Sequence, residues 1–378
     1  MKYVLSIIIL FIIGCNTEPL EQKSEVFLGE PEIIWSFGFD NHWWGGAYAP
    51  PALLGDSLVL FSGGSGINCL TVDSGILNWE SSYLSTGYLH QKFDHDDSNL
   101  FGYGSEGSVY SIKLKDGTES WVTSIDSVRT YSFTADVDEE FLYFGTSGYH
   151  NKRFVWKSSK IDGTLIDSVF CNFMPWHVDK QESGLHVSFG WSPDGNADFV
   201  GQIITFEPSA MDTLWVHDEP GGGFNVCAPT YADGIMYVGT VWGANNKILA
   251  LNAETGEVIW ETDSYGCFEI EIVGDTIFCD MGGGILALNK SSGTQVWQTL
   301  LPVADETSSI ASLNGYLYNA VSGKLFIMNQ LTGEVVHTLL GNDNTPIEQV
   351  STGAGMVIVQ TTRHLYAYGP YNPQKDMD

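Results

Sequence analysis

The sequence predicts an all-β protein, an eight-bladed β-propeller with four-stranded blades whose ring is closed by an N-terminal strand pairing with the C-terminal blade. Three observations predict it. The segment ILALNAETGEVIW at 248–260 returns as ILALNKSSGTQVW at 285–297, so one strand-turn-strand unit is used more than once. Ile248, Leu249, Ala250 and Leu251 are apolar at consecutive positions, which asks for a strand buried on both faces between neighbouring sheets. Relatives of the unit recur with a period of roughly 40 residues, that of a four-stranded blade. In each good copy a glycine such as Gly256 supplies the turn, where a positive φ is easiest without a Cβ.

The chain begins with Lys2 and an apolar run over 3–13. The run is too short for a membrane helix of roughly 20 residues and fits the apolar region of a secretory signal. It ends Ile12-Ile13-Gly14-Cys15, which resembles the lipobox of bacterial lipoproteins. That resemblance implies cleavage before Cys15 and lipidation of its thiol; a plain signal peptide with an incidental cysteine is the competing reading. Asn16 follows rather than Asp, which by the same resemblance favours the outer membrane, with the protein facing the periplasm or the cell surface. The expected organisation is a lipoprotein signal peptide over 1–14, lipidated Cys15 and a flexible tether over 15–29, a single propeller over 30–370, and a polar tail over 371–378.

EIIWSF at 32–37 matches EVIWET at 257–262, yet nothing before it supplies sister strands. It must pair elsewhere. Complete units then follow in order, with turn glycines at Gly75 and Gly117. The next keeps Gly163 but has Asp167 in the tryptophan position, and the one after ends at Trp215 with no turn glycine. Gly256, Gly293 and Gly333 head the last three, the third with His337 in the tryptophan position. A final partial unit over 350–368 has three strands, so 32–37 becomes its fourth and removes the free edge. Trp35, Trp79, Trp121, Trp215, Trp260 and Trp297 are expected on outer strands, wedged against the next blade.

The balance of 16 Lys and Arg against 46 Asp and Glu, net −30, excludes nucleic acid as a partner, since phosphates require clustered basic residues. Forty-two glycines, 12 tryptophans and 17 tyrosines suit a turn-rich β protein. Beyond Cys15 there are Cys69, Cys171, Cys227, Cys267 and Cys279. Two readings stand. One is a single disulfide, with Cys227 and Cys267 the best pair because both begin comparable strands of successive repeats; the other is buried free thiols.

ALNAETGEVIW at 250–260 and ALNKSSGTQVW at 287–297 resemble the tryptophan-docking repeats of the PQQ-like propellers. That superfamily includes the quinoprotein alcohol dehydrogenases and the BamB-type lipoproteins of outer-membrane β-barrel assembly. The resemblance covers nearly the whole mature chain and implies fold more than function. The dehydrogenases carry adjacent cysteines over their quinone, calcium ligands and a catalytic aspartate. This chain has no adjacent cysteines and no position that matches the aspartate, so no cofactor is expected and neither PQQ nor Ca²⁺ is carried over.

No catalytic set emerges. Gly63-Gly64-Ser65-Gly66 is followed by Ile67 and is not a nucleophile elbow. Asp94-His95-Asp96-Asp97 has the oxygen donors of a hard-cation site, against the reading of a solvated hairpin turn. The candidate positions are the blade-to-blade connections, which in propellers surround one mouth of the channel. They carry His42, Trp43, Trp44, Tyr88, His90, Arg129, Tyr131, Trp176, His177, Phe224, Asn225, Tyr265, Glu269, Glu306, Glu348 and Gln349. Rings interspersed with hydrogen-bonding groups suit a peptide, a sugar or a partner's loop; the competing reading is an ordinary hydrated mouth. The expected function is a lipid-anchored, non-catalytic envelope scaffold for a protein or peptide. The alternative is a small-molecule sensor or enzyme, for a quinone or sugar, working in the funnel.

Overall fold

The computed structural model describes residues 31–39, 50–63, 66–81, 94–104, 107–125, 135–146, 153–191, 200–224, 226–303, 309–342 and 345–373. They form eight sheets, each of four antiparallel strands. Blades 1 to 7 take residues 52–81, 94–124, 135–170, 174–219, 230–263, 269–300 and 309–340 in chain order, each sheet laid down strand after strand. Blade 8 combines three strands over 347–368 with Ile33–Gly38, whose partner is His364–Tyr368, Phe37 lying opposite Leu365. The N-terminal strand closes the ring.

The core is not one mass but eight layers, each between two adjacent blades. Ile248 and Ala250 pack with Ile270, Ile277 and Leu288 between blades 5 and 6, while Leu249 and Leu251 join Ile203 and Phe224 between blades 4 and 5. All four are fully buried. This is why a consecutive apolar run is needed: alternate side chains of one strand serve different layers. The layer between blades 8 and 1 joins Trp35, Ile358 and Leu365 to Val59 and Phe61, so the closing strand contributes packing as well as backbone pairing.

Six tryptophans dock in one way. The indole N–H of Trp35, Trp79, Trp121, Trp215, Trp260 and Trp297 donates to the carbonyl of Val72, Leu114, Lys160, Ala253, Lys290 and Gln330 of the next blade. Each accepting carbonyl lies three residues before that blade's turn glycine, and the ring lies on the glycine itself. At Gly293, φ is +68° and an added Cβ would stand 2.5 Å from Trp260 Cε3. The glycine is thus selected twice, by backbone conformation and by the ring above it.

The two remaining junctions show the same logic with different side chains. Blade 3 has Asp167 in place of the tryptophan, opposite Lys157, and blade 4 has Met211 in place of the glycine, still at φ 57°. Lys157 Nζ donates to Pro208 O at 2.8 Å, the carbonyl three residues before Met211, and Met211 itself is buried in the layer between the two blades. Lysine replaces the indole donor and methionine replaces the ring's volume. Between blades 7 and 8, His337 stacks on Tyr371, with centroids 6.1 Å apart and planes at 22°. Tyr371 N–H donates to Tyr318 Oη at 2.9 Å. The propeller therefore extends past residue 370, and Tyr371, placed in the polar tail by the sequence, is a packing residue because the blade 8 junction lacks a turn to receive a tryptophan.

Candidate functional site

The first strands of neighbouring blades contact one another at six of the eight junctions, those of blades 2 and 3, 3 and 4, 5 and 6, 6 and 7, 7 and 8, and 8 and 1. Their polar side chains reach sideways to the next blade. Asp94 Oδ2 accepts from Ala135 N at 3.0 Å, Asp136 Oδ2 from Lys180 N at 2.7 Å and Glu269 Oε2 from Ile310 N at 2.8 Å. Ser309 Oγ accepts from Val350 N at 2.9 Å, and Thr352 Oγ1 donates to Ser312 O at 2.9 Å. One strand further out, Asp280 Oδ2 accepts from Asn319 Nδ2 at 2.7 Å, and Gln360 Nε2 donates to Ser62 O at 2.6 Å, crossing from blade 8 to blade 1. The acidic groups nearest the axis hold backbone amides that the splayed inner strands cannot pair among themselves.

Of the residues proposed for the channel mouth, Trp176, His177, Phe224, Tyr265, Glu269, Glu348 and Gln349 fall within the described part of the chain. Trp176 donates its indole N–H to Gly190 O at 3.1 Å. His177 and Gln349 are buried. Glu269 is half-buried as a residue. Burial pushes its pKa up to about 8, against the Ile310 amide, with Asp280 and Glu271 adding to the rise. Phe224 is buried in the layer between blades 4 and 5, whereas Tyr265 in the next connection is 78% exposed. His42, Trp43, Trp44, Tyr88, His90, Arg129, Tyr131, Asn225 and Glu306 lie outside the described residues, as does Cys15.

The acidic run on blade 2 divides by role. Asp94 is buried and holds Ala135, while Asp96 Oδ1 accepts from Ser98 N and Asn99 N, both at 2.8 Å, as a side chain does when it closes its own turn. Burial acts to raise the Asp96 pKa, but the two amides and Lys160, 3.3 Å away, outweigh it and leave the group below its ordinary value. The run borders an open cavity of about 770 Å³ shared with Leu54, Lys113 and Lys115. Its arrangement is that of a hairpin turn, and among the described residues no three His, Cys, Asp or Glu side chains converge on a point suited to a metal ion.

One arrangement escaped the sequence. His186 Nδ1 lies 2.6 Å from Thr205 Oγ1, and its Nε2 lies 2.9 Å from Ser183 Oγ. The ring is 1% exposed and packs beside Trp215 and Tyr231. Burial, helped by Lys180, pulls its pKa down to about 4, so the imidazole is neutral and pins the hairpin to the blade 4/5 junction. No spacing in the sequence marks it, because Thr205 lies on the neighbouring strand and Ser183 in the turn before His186. Cys227, Cys267 and Cys279 are buried in the layer between blades 5 and 6.

Comparison with known proteins bears on the fold more than on chemistry. The family model described as outer membrane protein assembly factor BamB matches residues 201–372. BamB from Moraxella catarrhalis superposes with a TM-score of 0.67 at 12% identity, covering 90% of this chain and 100% of that one. Quinohemoprotein alcohol dehydrogenase from Comamonas testosteroni superposes with a TM-score of 0.70 at 10% identity, covering 91% of this chain and 77% of that one. At such identities the likeness is one of fold. In sequence, tetrathionate hydrolase of Acidithiobacillus ferrooxidans is 31% identical over 130 residues, 31% of this chain and 25% of that one. An uncharacterised protein of Rickettsia conorii is 27% identical over 148 residues, 33% of this chain and 35% of that one. Both sequence matches thus span well under half of the relatives' own lengths.

Proposed function

We propose that this eight-bladed β-propeller, similar over residues 201–372 to the BamB family model, belongs to the PQQ-like superfamily and is a lipid-anchored envelope protein that binds a protein or peptide without catalysing a reaction. The observation that carries this reading is the use of the inner carboxylates: Asp94, Asp136 and Glu269 each hold a backbone amide of the next blade. Among the described residues, these three carboxylates each commit an oxygen to joining adjacent blades. The match of residues 201–372 to the BamB model supports the envelope and the outer membrane as its place, with Cys15 as the anchor and the domain facing the periplasm or the surface. Binding falls to the connections, with Trp43 and Trp44 as the aromatic residues, His42, His90, Arg129, Trp176, Asn225 and Glu306 as further binding residues, and neither PQQ nor Ca²⁺ required. The test is crosslinking in intact envelopes followed by purification of the tagged chain. A defined envelope protein recovered with the wild-type chain and lost with the Trp43→Ala, Trp44→Ala double variant is expected; equal recovery with both would overturn the assignment of the site.

A second reading, a small-molecule enzyme, is favoured by one observation, the 31% identity to part of tetrathionate hydrolase. Turnover of tetrathionate by the purified chain would establish it in place of the first.

A further inference from the structure

We propose that Cys227 and Cys267 form a disulfide that ties the connection leading into blade 5 to the connection leading into blade 6. Their sulfurs are 3.5 Å apart and both residues are fully buried. Cys227 stands just before the first strand of blade 5, Thr230–Ala232, and Cys267 just before that of blade 6, Glu269–Val273. The side chain of Cys267 occupies a place cleared for it: a Cβ on Gly239 would lie 2.1 Å from Cys267 Cβ. The backbone beside it is fixed as well, since Cys267 N donates to Thr240 O. A disulfide needs an S–S distance of about 2.05 Å, so the sulfurs must approach by roughly 1.5 Å.

The chemistry sets the moment at which the bond forms. Each thiol gives up its hydrogen and the pair loses two electrons to a disulfide oxidant, either an oxidase's exposed disulfide or glutathione disulfide, which leaves as two thiols. Attack requires a thiolate. In the folded chain the neighbouring Cys267 thiol and burial hold Cys227 well above the ordinary thiol range, and burial does the same for Cys267. Both residues are fully buried once the layer closes, out of reach of an oxidant, so the exchange takes place while blades 5 and 6 are still open, during folding. Cys279, which also interacts with Cys267 from within blade 6, is the competitor for the bond.

The test maps disulfides in the full chain, both as isolated from an oxidising bacterial periplasm and after refolding with reduced and oxidised glutathione. Free thiols are alkylated in denaturant before digestion. Cys227 and Cys267 are expected in one linked peptide, with Cys69, Cys171 and Cys279 alkylated, and C279A is expected to give the same linked peptide. Alkylated Cys227 and Cys267 after both routes, or Cys267 linked to Cys279, would overturn the proposal. The refolding arm does not depend on where the chain resides, so it stands apart from the envelope reading. The linked chain should also melt at a higher temperature than the same chain refolded in reductant; identical melting would mean that the bond does not tie the two blades.

Discussion

At the scale of single residues, the turn glycines separate two effects that a sequence presents as one. Gly274 has φ +58° and nothing within 4 Å of an added Cβ, whereas Gly293 has φ +68° with Trp260 Cε3 at 2.5 Å. Gly274→Ala should cost about 1 kcal/mol, the backbone effect alone. Gly293→Ala should cost roughly 3 kcal/mol or more, because the indole must also move out of a packed layer. Denaturant titration of the two variants checks this, and equal costs would show that the ring does not press on the turn. The positive φ was legible in the repeat; the pressing ring was not, since it belongs to another blade. Glu269 gives a pH prediction of definite sign. Its pKa is about 8 when folded against 4.5 ordinarily, so the folded chain holds an extra proton between these values and loses stability as pH rises through them. His186, lowered to about 4 from 6.5, acts oppositely, but only below 6.5. Between pH 6.5 and 8 the Glu269 effect is separate from that of His186. Glu269→Gln keeps an acceptor for Ile310 and should flatten the fall in stability over that window, as read from melting temperature against pH; an unchanged slope would count against the enclosed carboxyl.

At the scale of elements, the junction between blades explains which repeat residues vary together. Where Trp is lost at Asp167, Gly is lost at Met211, and Lys157 supplies the donor to Pro208 O. The sequence displayed these as two degenerate repeats; that they form one exchange becomes visible only when blade 3 is set against blade 4. Lys157→Met should leave that carbonyl unpaired at a cost of about 1–3 kcal/mol, measurable by denaturant unfolding. Trp260→Ala should cost about 3–5 kcal/mol through lost burial and a cavity, without loss of partner recovery in the crosslinking experiment. The closing strand was legible because Glu32 to Phe37 copies an outer strand without its sisters, and the observed Ile33–Gly38 pairs with His364–Tyr368. Removing residues 1–38 should expose the edge of His364–Tyr368 and lower the melting temperature, with aggregation seen by light scattering.

At the scale of the whole molecule, the ring and its eight layers were legible because a four-stranded repeat leaves a period, a turn residue and a docking ring in most copies. The site was less legible. A connection is by nature the part of a repeat that does not repeat, and an acidic or aromatic residue there looks the same whether it faces a ligand or a neighbouring strand. Glu269 and Gln349 illustrate this: both sit where a mouth was expected, and the structure has Glu269 holding Ile310 and Gln349 buried. In the proposed reading, the inner carboxylates Asp94, Asp136 and Glu269 serve the ring and recognition falls to the outer connections. The most direct measurement is the melting temperature of the purified full chain with and without pyrroloquinoline quinone and Ca²⁺ over a range of concentrations. A non-catalytic scaffold predicts no change; a large rise that saturates with ligand would contradict it.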